Sequence, residues 1–94
     1  MLTQTVTIVN QRGLHARAAA RFTSTATRFR AAMQVRVHSP EDAAPWADAS
    51  SIMALMLLAA AQGTQLDIRT EGKEAQKAMD AICQLIANRF GEEA

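Results

Sequence analysis

The change of hydrophobic period at Gly13 constrains this chain more than any other feature. Upstream, Leu2 to Val9 alternates as a half-buried strand does, with Leu2, Val6 and Ile8 on one side and Thr3, Thr5 and Thr7 on the other. Downstream, Ala19, Phe22, Ala26 and Phe29 recur at three- and four-residue spacings, which predicts a helix from Ala16 to about Arg28. Arg17, Arg21 and Arg28 form a basic stripe on another face of it. Asn10 to Gly13 is a polar connection ending in the residue best suited to unusual backbone angles. His15 therefore stands at a helix start. The first N–H groups of a helix have no backbone acceptor, so an imidazole there lies beside a natural anion site.

The remaining elements follow from pattern and punctuation. Met33, Val35 and Val37 alternate with Gln34, Arg36 and His38 as a second strand. Ser39 to Ala44 carries Pro40 and two acids, a turn signal, and Pro45-Trp46-Ala47 predicts a short edge strand. Asp48, Ser50 and Ser51 are all able to cap a helix predicted from Ile52 to about Ala60, ending at Gln62-Gly63 with glycine as its C-terminal cap. Leu66, Ile68 and Thr70 mark another strand. After Gly72 an amphipathic helix is expected to reach about Phe90, burying Ala75, Ala78, Met79, Ile82, Leu85 and Ile86, and Gly91-Glu92-Glu93-Ala94 reads as a mobile tail. The order β-α-β-β-α-β-α, with one apolar face per strand, predicts an α+β sandwich with helices on one side of an antiparallel sheet. Residues 1–94 read as a single domain.

Composition narrows the function. A net charge of +1 argues against a general nucleic-acid binder, and three Phe, one Trp and no Tyr leave little from which to build base-stacking platforms. One cysteine, Cys83, excludes an internal disulfide and reads as a small core residue. His15, His38 and Cys83 lack metal-ligand spacing, so neither a metal nor another cofactor is expected, and His38 is given no role. No stretch is apolar and long enough to span a bilayer, and Met1-Leu2-Thr3 lacks a basic signal-peptide start. The expectation is a soluble, cytoplasmic monomer.

Gly13-Leu14-His15-Ala16-Arg17, Ser51-Ile52-Met53 followed by Leu55-Met56, and Gly63 before the next strand together resemble the HPr family. These are the histidine-containing phosphocarriers of the bacterial phosphoenolpyruvate-dependent phosphotransferase system. The resemblance spans nearly the full length. It implies an open-faced β-sandwich, a four-stranded antiparallel sheet with three helices on one face. Ala18, where the sugar-type proteins commonly carry proline, is more like the nitrogen-related branch, NPr; sugar and nitrogen roles both stay open. Ala54 in place of a common glycine and a longer Pro40–Asp48 loop are further departures.

The resemblance implies a phosphoryl relay rather than an autonomous enzyme. Enzyme I would phosphorylate Nδ1 of His15, and phospho-His15 would pass the group to a histidine of an Enzyme IIA protein. The residues suit this independently. Neutral imidazole is a nucleophile at ordinary cellular pH, and the positive end of a helix dipole favours an added dianion. Backbone N–H groups of Ala16, Arg17 and Ala18 can solvate phosphoryl oxygens, with the Arg17 guanidinium as counter-charge. Arg17, Arg21, Ile52, Met53, Met56 and Leu57 form the expected docking surface, apolar contact giving affinity and the arginines orientation. The family also implies a kinase acting on Ser51, although a helix cap is the plainer reading of that residue. The competing reading is an HPr-like regulatory protein that binds partners without carrying phosphate.

Overall fold

The computed structural model describes residues 1–94. Strands β1 (Leu2–Thr7), β2 (Ala32–Val37), β3 (Ala47–Asp48) and β4 (Gln65–Glu71) alternate with helices α1 (Ala16–Ala26), α2 (Ile52–Met56) and α3 (Ala75–Ala87) in the expected order. The sheet runs β1-β4-β2-β3 and is antiparallel throughout. Val6 stands opposite Leu66, and Ile68 opposite Val35, so the apolar positions of three strands share one face. That face is covered by Ala18, Ala19 and Phe22 of α1 and by Ala78, Met79, Ile82 and Ile86 of α3, all buried. Each fully buried large apolar side chain contributes about 1.5–3 kcal/mol. The architecture is the α+β open-faced sandwich, and no helix is long and apolar enough to cross a membrane.

Helices α1 and α2 begin where the sequence places them and end earlier. α1 stops at Ala26 within the Thr/Ser run, where the Thr27 hydroxyl donates to Thr23 O at 2.8 Å. α2 was expected to reach about Ala60 but closes at Met56. Ala59 has turned to a left-handed φ of 52°, and the Ala60 carbonyl accepts from Leu14 N at 2.8 Å instead of serving the helix. Gly63 is thus no helix cap. With φ +90° and its N–H on Ile8 O at 2.8 Å, it bends the chain into β4. The third strand pairs through Ala47 and Asp48, not through Pro45 and Trp46. The guanidinium groups of Arg36 and Arg69 lie over the Trp46 ring, 4.3 and 4.0 Å from its centroid.

The C-terminus departs most. α3 ends at Ala87, and Arg89, Phe90 and Gly91 make a left-handed turn with φ of 58°, 54° and 78°. A non-glycine residue in that region costs about 1–2 kcal/mol. Complete burial of the Phe90 ring and a hydrogen bond from Arg21 to the Phe90 carbonyl offset the cost. Phe90 is therefore a core anchor outside the helix, while Ala75 and Leu85, expected in the core, are half-buried. Nor is the segment beyond Gly91 a loose tail: the Glu92 side chain is hydrogen-bonded to Asn10 and His15.

Candidate functional site

The site is built on the turn between β1 and α1. Gly13 has φ +68°, and a Cβ there would stand 2.5 Å from Ala60 O and 2.9 Å from Ala61 Cα, so the close approach of two backbones excludes any side chain. Gly13 N donates to Asn10 O at 3.2 Å, and Asn10 Nδ2 donates to Gly13 O at 2.8 Å, which closes the turn from both sides. Leu14, 5% exposed, plugs into the core and fixes the residue that follows.

That residue, His15, is the N-cap of α1, with φ −75° and ψ 178°. Its carbonyl accepts from Ala19 N at 2.8 Å, but its ring makes no cap hydrogen bond. The N–H groups of Ala16, Arg17 and Ala18 consequently have no acceptor in the chain. His15 Nε2 is paired with Glu92 Oε2, whereas Nδ1 has no partner. Glu92 Oε1 accepts from Asn10 Nδ2 at 2.9 Å. Burial opposes ionisation of Glu92, but hydrogen bonds from Asn10 and His15, with the charges of His15 and Arg12, outweigh it and hold the carboxyl below the ordinary range.

Arg17 is exposed and forms no ion pair, as is Arg12 across the turn. Arg12 lines a depression with Leu14, His15 and Ala59 to Ala61, and a neighbouring one with Gln11, Arg17 and Glu92. Asn10, Arg12 and Glu92 carry no site signal in the sequence. Asn10 was readable as a turn residue, but nothing local marks Glu92, which lies 77 positions from His15.

α2 packs against α1 and exposes Ile52, Met53, Met56 and Leu57, with Leu57 80% accessible and Met53 69%. Leu55 is its single buried residue. Ser51 is the N-cap, its Oγ accepting from Ala54 N at 3.1 Å. Asp48 instead binds Ser50 N and Oγ at 2.9 and 2.7 Å. Arg21 is exposed but tied to the Phe90 carbonyl. His38 Nδ1 meets Asp67 Oδ1 at 2.8 Å on the open face of the sheet. Cys83 is half-buried, and burial, then the Asp80 charge, pushes its thiol up. No three His, Cys, Asp or Glu side chains gather as a metal site requires.

Comparison with known proteins agrees with this arrangement. The family model described as the PTS HPr component phosphorylation site matches residues 2–88. Phosphocarrier protein HPr of Pseudomonas aeruginosa is 49% identical over 88 residues, covering 93% of this chain and 92% of that protein. Phosphocarrier protein NPr of Shewanella violacea is 35% identical over 91 residues, covering 97% and 94%. The crystal structure of HPr from Thermoanaerobacter tengcongensis superposes with a TM-score of 0.88 at 36% identity, covering each chain completely. With its open-faced sandwich and the histidine-bearing turn before the first helix, the chain belongs to the HPr family of phosphocarrier proteins of the phosphotransferase system.

Proposed function

We propose that the chain accepts a phosphoryl group from Enzyme I on Nδ1 of His15 and passes it to a histidine of an Enzyme IIA protein, working as a cytoplasmic monomer. One observation carries the reading: Nδ1 is the ring nitrogen without a partner, and it belongs to the N-cap of an 11-residue helix whose first three N–H groups are open. In uptake, the Nδ1 lone pair forms a bond to phosphorus while the bond to the donor histidine breaks and its electron pair returns to that ring. The N–H groups of Ala16, Arg17 and Ala18 solvate the equatorial oxygens, and the Arg17 guanidinium balances their charge. Delivery reverses these steps. Arg17, Ile52, Met53, Met56 and Leu57 form the docking face, whose methionines repack against more than one partner. Arg21, tied to Phe90, adds charge at the rim.

The test is incubation with phosphoenolpyruvate and Enzyme I, followed by mass measurement. The parent gains one acid-labile, alkali-stable phosphoryl group, and His15→Ala gains none. Equal labelling of His15→Ala would refute the reading.

A further inference from the structure

We propose that Glu92, held by Asn10, is a positioning residue that masks Nε2 of His15 and so selects Nδ1 as the nitrogen that reacts. The inference rests on the phosphocarrier reading. It concerns a residue far from the histidine in sequence and on the opposite end of the chain. A chain of contacts runs from the Gly13 carbonyl through Asn10 Nδ2 to Glu92 Oε1, and from Glu92 Oε2 to His15 Nε2. Asn10 is fully buried and the Glu92 side chain is 14% exposed, so the carboxylate cannot swing freely into water. The buried Phe90 ring anchors the segment two residues before it.

The two nitrogens of an imidazole compete as nucleophiles, and the partner of one decides the state of the other. A carboxylate facing Nε2 keeps the proton there and leaves the lone pair on Nδ1, the role an orienting acid performs for a catalytic histidine. It also acts during transfer. When Nδ1 of the neutral ring bonds to phosphorus and the donor nitrogen takes back its electron pair, the Nε2 proton stays and the ring becomes cationic. Glu92 lies against that new charge, at the nitrogen that does not carry the phosphoryl group.

The experiment compares the parent with Glu92→Ala, using phosphoramidate as a small donor so that docking plays no part. The donor's N–P bond breaks and ammonia leaves. Nitrogen and phosphorus NMR identify the labelled nitrogen, and the ¹⁵N shifts of the unphosphorylated ring give its tautomer. In the parent, His15 is labelled on Nδ1 alone. In Glu92→Ala the label divides between Nδ1 and Nε2, the ring shifts move towards those of free imidazole, and uptake from Enzyme I falls about tenfold. The variant still folds, its melting temperature lowered by a few degrees through loss of the hydrogen bonds to Asn10 and His15. His38, whose Nδ1 faces Asp67, is the internal control and is labelled on Nε2 in both proteins. Labelling of Glu92→Ala on Nδ1 alone with parental ring shifts would overturn the proposal, as would label on Nδ1 of His38. A parent that takes phosphate from neither donor would instead refute the phosphocarrier reading, and the tautomer shifts would still decide whether Glu92 orients the ring.

Discussion

Asp67 sits in β4, one of the two inner strands, 3% exposed, on the face of the sheet that no helix covers. Thr5 Oγ1 at 2.8 Å, Arg36 Nε at 3.0 Å and His38 Nδ1 at 2.8 Å all reach it from neighbouring positions. Burial works against its ionisation, but the hydrogen bonds from Thr5, Arg36 and His38, with the His38 charge, leave its carboxyl below the ordinary range. Because the folded carboxyl is the stronger acid, its stabilisation is complete above the unfolded-state value near ~3.9. It is lost as pH falls through the lower folded value. Asp67→Asn should cost about 1.5–3 kcal/mol at neutral pH and flatten the acid dependence of the urea midpoint. Asp48 and Glu92, also lowered, keep a residual slope. An acid limb as steep as the parent's would show that Asp67 does not carry it. In sequence, Asp67 looked like any polar residue of an alternating strand; its burial comes from side chains of β1 and β2, which no local pattern reveals.

At the scale of elements, α2 shows where pattern stops informing. The run Ile52 to Ala60 is apolar enough to suggest a longer helix, yet only Ile52–Met56 is helical. Its start was legible because Ser51 supplies a cap of known chemistry. Its end was not, because the deciding contact is between Ala60 and Leu14, far apart in sequence. Ala59 bears the consequence at φ 52°. Glycine there avoids the Cβ clash of about 1–2 kcal/mol and returns some chain entropy to the unfolded state, about 0.5–1 kcal/mol. Ala59→Gly should therefore raise the melting temperature by a few degrees, and a lower one in calorimetry would show that the left-handed residue is not strained. The strands and the starts of helices were readable for the same reason as Ser51, since alternation and caps are local. The site was readable in part: Gly13 and His15 mark themselves by period and position, whereas Glu92 reaches His15 only because Phe90 buries itself and reverses the chain.

Taken whole, the molecule exposes an apolar patch on α2, which packs against α1, and carries a polar face on the other side of the sheet. Ile52, Met53, Met56 and Leu57 stay exposed because five residues of helix bury only Leu55. Met53→Glu should slow transfer from Enzyme I about tenfold, as loss of a central apolar contact does, and leave the melting temperature nearly unchanged because the side chain is 69% exposed. A collapse in stability would place Met53 in the core, and unchanged transfer would move the docking face elsewhere. The strand order has a consequence of another kind. β1 pairs with β4 and no other strand, Leu2 against Thr70 and Thr7 against Gln65. A growing chain therefore exposes its first strand with no partner until the fourth has left the ribosome, and such long-range pairings close slowly. The histidine turn hangs from that strand and leans on Ala60, so its reactive geometry requires segments from distant parts of the sequence to be in place together.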